Sequence, residues 1–202
     1  MAARPFTRAE RRDETPHKRY PDRLCFLLNN PVRQRLNPPD RLIFKLGINS
    51  EHTVVDFGCG PGFYTIPLAR IAGRTIGIDV SSKMLERISE YAQKEAVAVE
   101  LLESDGIAID LEDNCVDLIL AVHVYHEITQ REKVLAEFSR ILKPEGRLAV
   151  VERTRGGVLS RRFGAPIIKQ ENIIRELALL GFVFHEAISN GDDSAIIAKR
   201  AR

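Results

Sequence analysis

The sequence predicts an α/β protein: an open, mostly parallel sheet with helices on both faces and an antiparallel hairpin at its end. Three stretches predict it. Val54-Val55-Asp56-Phe57-Gly58-Cys59-Gly60-Pro61-Gly62-Phe63-Tyr64 passes from β-branched and apolar residues through alternating glycines into a helical pattern, which reads as strand, tight turn and helix. Val116-Asp117-Leu118-Ile119-Leu120-Ala121-Val122 is nearly all apolar, as a central parallel strand buried on both faces requires. Ser189-Asn190-Gly191-Asp192-Asp193 separates two short strand patterns, Phe182 to Ala187 and Ser194 to Lys199, and leaves no room for a crossover helix.

Composition bounds the reading. The 202 residues, 44% hydrophobic and 29% charged, fit one globular domain with a sizeable core. A formal net charge of +2 is too small to imply a nucleic-acid or membrane partner. Cys25, Cys59 and Cys115 are odd in number and widely spaced with no Cys-x-x-Cys pair, so neither a disulfide framework nor a metal site is expected. No apolar run approaches the ~18 residues of a membrane span, and charges occupy the place of a signal peptide's apolar segment. A cytoplasmic protein is expected.

Residues 1–23 carry Arg4, Arg8, Arg11, Arg12, Lys18, Arg19 and Arg23 with little to build a core, and read as a flexible basic arm. Residues 24–50 follow as a helical segment broken at Asn29-Asn30-Pro31 and Asn37-Pro38-Pro39, its second helix running from Asp40 to Leu46 until Gly47 ends it. The main domain is expected over 51–202. Its first helix is expected from Tyr64 to Ala72 and its second strand from Arg74 to Val80. Met84, Leu85, Ile88, Tyr91, Ala92 and Glu95 form a helical stripe, with Ser81 and Ser82 in the capping places, and Val97, Val99 and Leu101 alternate as a third strand ending at Ser104-Asp105-Gly106. After the fourth strand, Thr129-Gln130-Arg131-Glu132 has the spacing of a capping box ahead of the stripe Val134, Leu135, Phe138, Ile141 and Leu142. Lys143-Pro144-Glu145-Gly146 stops that helix and Arg147 to Glu152 makes the fifth strand. Arg153, Arg155, Arg161, Arg162 and Lys169 then fall in a loop with no acid, before a helix over Ile173, Ile174, Leu177 and Leu180.

The glycine loop constrains the ligand. A dinucleotide fingerprint would place its third glycine where Phe63 stands, and Asp56 at the mouth of the loop would repel a pyrophosphate. An acid there suits a cation, so nicotinamide dinucleotides are not expected to bind. S-adenosylmethionine carries an ammonium and a sulfonium and no phosphate. Asp56-x-Gly58-x-Gly60-x-Gly62 resembles the first motif of the class I S-adenosylmethionine-dependent methyltransferases, and the resemblance runs from about Thr53 to the C-terminus. It implies a Rossmann-like sheet of seven strands with the last antiparallel. It implies further that Gly58, Cys59, Gly60 and Gly62 face the cofactor, that Asp79 with Val80 holds the ribose hydroxyls, that Asp105, between Ser104 and Gly106, accepts from the adenine amine, and that His123 at the end of the fourth strand also borders the cofactor. In related small methyltransferases the N-terminal segment folds over the cofactor, which makes Tyr20, Arg33 and Arg35 candidate lid residues.

The rim of the fourth strand carries His123-Val124-Tyr125-His126-Glu127, at the edge where open α/β sheets bind ligands. Methyl transfer mainly needs two aligned reactants, worth up to ~7 to 11 kcal/mol, and a base only if the nucleophile arrives protonated. His126 is the first candidate base, with His123, Tyr125 and Glu127 behind it; capping the next helix is the alternative role for His126. No Asn-Pro-Pro-Tyr-type motif follows the fourth strand and no Pro-Cys nucleophile appears, which favours a small-molecule acceptor. The loop arginines favour an anionic one. An RNA or protein acceptor, or a non-catalytic regulatory module that binds S-adenosylmethionine, remain the alternatives.

Overall fold

In chain order the elements are α1 (Pro39–Lys45), β1 (Thr53–Phe57), α2 (Thr65–Ala69), β2 (Arg74–Asp79), α3 (Ser82–Lys94), β3 (Glu100–Glu103), β4 (Val116–Val122), a 3-10 turn (Tyr125–Glu127), α4 (Arg131–Ile141), β5 (Leu142–Arg153), α5 (Gln170–Leu179), β6 (Phe182–Asn190) and β7 (Asp193–Arg200). The structure is a computed structural model and describes residues 38–155 and 166–201. The predicted basic arm, Tyr20, Arg33 and Arg35, and the loop residues Arg161 and Arg162 lie outside the described residues.

The strands form one seven-stranded sheet in the order β3-β2-β1-β4-β5-β7-β6. β1 to β5 pair in parallel, and β7 runs antiparallel between β5 and β6, as the hairpin signal predicts. Residue alternation on the central strands divides the core between the two faces. Val55, Ile119, Leu148, Val150 and Ile196 face α4 and α5, where Val134, Leu135, Phe138, Ile173 and Leu177 are buried. Val54, Leu118, Leu120, Ala149, Val151 and Ile197 face Leu42, Ile43 and Leu46 of the α1 segment and Leu68 of α2. Each such side chain contributes roughly 1.5 to 3 kcal/mol by leaving water. Val116 breaks the alternation by sharing a face with Ile119, because the β4–β5 register shifts between Val116 and Leu118.

Local chemistry accounts for most element ends. Pro39 opens α1, where its missing N–H is no loss, and Gly47 follows at φ +67. β6 and β7 meet at a two-residue turn, tighter than the five-residue turn expected over Ser189–Asp193, with Asn190 opposite Asp193 and the positive φ on Gly191. The expected third strand starts late, at Glu100, because Val97 and Val99 pack with Leu101 against the Cys59 and Ile88 cluster instead. α2 ends at Ala69 rather than Ala72. The expected capping box does not form: Gln130 is the N-cap of α4, without a side-chain cap bond, and Arg131 ties the helix entry by donating to the Tyr125 carbonyl at 3.3 Å.

Candidate active site

The glycine loop is stapled to the end of the neighbouring strand. Gly58 and Cys59 both donate backbone N–H bonds to the Ile78 carbonyl, at 2.8 and 3.0 Å. Gly60 donates to Asp79 Oδ2 at 2.9 Å. Gly58, Gly60 and Gly62 have φ of +67, +51 and +89, conformations that side-chain-bearing residues rarely adopt. A Cβ on Gly60 would meet nothing within 4 Å, so its backbone faces open space, whereas one on Gly62 would crowd Ile88 at 3.1 Å. The Cys59 side chain packs into the core with Ile66 and Leu85, and burial pushes its thiol well above the usual range.

Asp56 lies beneath this loop rather than on its surface. It is 2% exposed and accepts the Thr65 hydroxyl at 2.6 Å. Burial pushes its carboxyl up to about 7; the Thr65 bond works against that rise and the charge of Asp79 adds to it. Asp79 takes the helix-entry role expected of the serines: its Oδ1 accepts the Ser81 N–H at 2.9 Å, and Ser81, the N-cap, makes no side-chain cap bond. One carboxylate therefore ties the glycine loop to the start of α3. Val80 beside it is 42% exposed. Ser104 joins the group through its N–H to the Asp79 carbonyl, at 3.1 Å. Its hydroxyl oxygen accepts from Gly106 N–H at 3.0 Å, and Asp105, exposed, accepts from Ile107 N–H at 3.0 Å. Gly106 sits at φ +85, where a Cβ would lie 2.7 Å from the Phe57 ring.

At the other side of the same sheet edge stands a cluster of charge. Glu152, near the end of β5 and 1% exposed, lies with both carboxylate oxygens 3.0 Å from His126 Nδ1 and accepts the His126 backbone N–H at 3.2 Å. Its Oε2 is also 3.7 Å from His123 Nδ1. His123 Nε2 lies 3.1 Å from Oδ2 of Asp193, the first residue of β7. Burial alone lowers the His123 pKa, but hydrogen bonds to Asp193 and Glu152 outweigh it and raise the value to about 9. Glu152 moves the other way: burial raises it, yet the two histidines bring it down to about 2. Held between two carboxylates, His123 favours its protonated form. Tyr125 is removed from the rim, 2% exposed in the core with the Arg131 guanidinium 5.3 Å from its ring. Glu127 remains at the surface, its carboxylate 4.0 Å from His126 Nε2.

Arg153 points at Asp193, Nε to Oδ1 3.8 Å, with both atoms buried and outside hydrogen-bonding distance. Arg155 and Lys169 are exposed. Sequence reasoning missed Glu152 and Asp193 as site residues. An acid ending an otherwise apolar strand beside a histidine-rich rim was a signal for Glu152, whereas Asp193 reaches His123 only through its pairing opposite Arg153. Among the described residues no cluster of His, Cys, Asp and Glu could hold a metal ion, and no helix is long and apolar enough to cross a membrane.

Comparison with known proteins agrees with this geometry. A family described as "Methyltransferase domain" matches residues 55–150. The chain is 31% identical over 125 residues to methyltransferase GfsG of Streptomyces halstedii, covering 59% of this chain and 44% of that protein. It is 26% identical over 161 residues to a ubiquinone biosynthesis O-methyltransferase of Rhodopseudomonas palustris, covering 80% of this chain and 60% of that protein. The chain thus spans about half the length of these curated relatives. Among solved structures, a SAM-dependent methyltransferase from Aquifex aeolicus matches with a TM-score of 0.78 and 25% identity, covering 91% of this chain and all of that one.

Proposed function

The chain belongs to the class I S-adenosylmethionine-dependent methyltransferases, and on that premise we propose that it methylates a hydroxyl of a small acceptor, with His126 as general base. The observation that carries this reading is the Glu152 carboxylate 3.0 Å from His126 Nδ1. With Nδ1–H donating to Glu152, Nε2 is the nitrogen that takes the acceptor's proton, and the carboxylate stabilises the imidazolium that results. Such a base contributes typically about 10² to 10⁴ in rate.

The loop fits the cofactor that the family uses. Gly60 presents bare backbone to open space, and the Asp79 carboxylate beside it disfavours a phosphate and suits a cation, while Asp56 supports the loop from beneath through Thr65. Asp79 and Val80 would hold the ribose, Ser104, Asp105 and Gly106 the adenine, and Gly58, Cys59, Gly60 and Gly62 the amino-acid end. Bound there, S-adenosylmethionine supplies an electrophilic methyl group for in-line displacement with a thioether leaving group. The Rhodopseudomonas relative, named as an O-methyltransferase, supports an oxygen nucleophile. The preference for an anionic acceptor falls on Arg155, because the charge of Arg153 is offset by Asp193 at 3.8 Å. A cytoplasmic setting belongs to the same reading, supported by the free thiols of Cys59 and Cys115.

Calorimetry with S-adenosylmethionine, then turnover on a panel of anionic and neutral phenols, tests the proposal. Wild type and His126→Ala should bind the cofactor equally while only wild type turns over. Undiminished turnover by His126→Ala would remove the base, and no cofactor binding by wild type would remove the activity. Arg155→Ala should lose turnover on the anionic phenols alone; equal activity there removes the anionic preference.

A further inference from the structure

The cofactor loop and the acceptor rim touch where a side chain is missing. A Cβ on Gly58 would lie 2.5 Å from Val124 Cγ2 and 2.7 Å from its Cβ, so Val124 occupies the space a larger loop residue would need. The chain reaches that contact through His123, whose φ of +54 is left-handed and unusual for a residue with a side chain. A conformation of that kind persists where its surroundings over-determine it. Here three contacts from two strands do so. The His123 N–H donates to the Val151 carbonyl of β5 at 2.9 Å, its Nε2 lies 3.1 Å from Asp193 of β7, and its Nδ1 lies 3.7 Å from Glu152 of β5.

We propose that Asp193, acting through His123, is a positioning residue for the cofactor loop: the imidazole tied between Asp193 and Glu152 holds the left-handed turn that seats Val124 against Gly58. The proposal rests on the reading that this loop binds S-adenosylmethionine, and it gives the second histidine a role distinct from that of His126. The chain of contacts runs from the first residue of β7 to the first glycine of the loop, so the C-terminal hairpin shapes the cofactor site without touching the cofactor. Only the protonated ring carries an N–H at both nitrogens, bonding Asp193 at 3.1 Å and facing the Glu152 carboxylate at 3.7 Å, in keeping with a pKa raised to about 9. The other charged groups facing the ring's surroundings are Arg153 beside Asp193, and His126 and Glu127 on the turn that follows. Loss of the His123 proton removes the ring's charge, and with it the ion pair to Glu152 and the charge assistance of the Asp193 bond, which loosens the turn, so the hold on the loop weakens at alkaline pH.

S-adenosylhomocysteine serves as the probe, since it needs no acceptor. Calorimetry at neutral pH on wild type, Asp193→Ala, His123→Asn and the double variant should show each single change weakening the probe by about tenfold, and the double change weakening it no further, because both cut one connection. In NMR spectra of the wild type, the Gly58 amide should titrate in step with the His123 ring near pH 9, and that step should vanish in His123→Asn. A merely structural histidine would leave the Gly58 amide flat. Unaltered affinity in both single variants, additive losses in the double, or a flat Gly58 amide overturns the proposal while leaving the cofactor assignment intact. Absence of probe binding by wild type instead overturns the cofactor assignment, and this inference with it. The wild-type titration reads the proposal even if a variant fails to fold.

Discussion

Asp56 and Glu152, both buried, and His123, one quarter exposed, carry pKa shifts that make this protein's stability depend on pH. Asp56 has a folded-state pKa raised from 3.8 to about 7, so the fold is favoured by its proton below 3.8 and loses that contribution as pH rises through about 7. The rise corresponds to roughly 4 kcal/mol. His123, raised from 6.5 to about 9, contributes stability that is complete below 6.5 and is lost as pH rises through about 9. Glu152, lowered from 4.5 to about 2, contributes above 4.5 and loses its share as pH falls through about 2. Thermal unfolding should therefore show wild type losing stability from pH 4 to 7, and Asp56→Asn should flatten that slope. His123→Asn should remove the further loss between pH 7 and 9. An Asp56→Asn protein with the wild-type slope would mean that the carboxyl is better solvated than its 2% exposure implies.

At the scale of elements, side chains that look equivalent in sequence carry different loads. Ser81 is the N-cap of α3 but makes no side-chain cap bond, while Asp79 accepts from both Ser81 N–H and Gly60 N–H. Ser81→Ala should thus cost under about 0.5 kcal/mol, below the usual loss at a working cap, whereas Asp79→Ala leaves two N–H donors short and should cost about 2 kcal/mol or more. Denaturant midpoints compare them; equal losses would place the cap on the serine after all. α4 offers a second case. Phe138 is fully buried and meets Phe57 edge-on, ring centroids 4.9 Å apart, under the strand that leads into the glycine loop. Phe138→Ala should cost about 3 to 5 kcal/mol and weaken cofactor binding as well, because β1 loses the support for its last residue. A Phe138→Ala protein of wild-type stability would show that α4 closes the cavity by moving.

Across the whole molecule, protection should follow place in the sheet. β4, β5 and β7 carry fully buried residues on both faces, whereas β3 is a four-residue edge strand with no buried residue and β6 an edge with an exposed central run. Native-state hydrogen exchange should find the slowest amides in β4 and β5 and the fastest strand amides in β3; β3 amides as slow as those of β4 would contradict the layout. The order of helices and strands was readable because each is specified locally, by the apolar run of β4, the glycines after β1, Pro39 at the start of α1 and Gly191 in the hairpin. The glycine turn after β1 was readable too, since Gly58, Gly60 and Gly62 lie within one short stretch and all take positive φ. The expected capping box at Thr129 and the strand over Val97 and Val99 were local signals that packing overruled: Arg131 ties the α4 entry to the Tyr125 carbonyl, and both valines turn toward the Cys59 cluster. Most of the site's charge distribution was not readable, Glu152 alone having left a signal. Glu152, His123 and Asp193 are far apart in the chain, and folding sets His126 Nδ1 against Glu152 and His123 between Glu152 and Asp193. By itself the sequence determined the fold class, the glycine loop and the histidine-bearing rim, because short-range patterns encode them; only the tertiary structure decided which acid serves which histidine, because electrostatic coupling depends on separation in space and on burial.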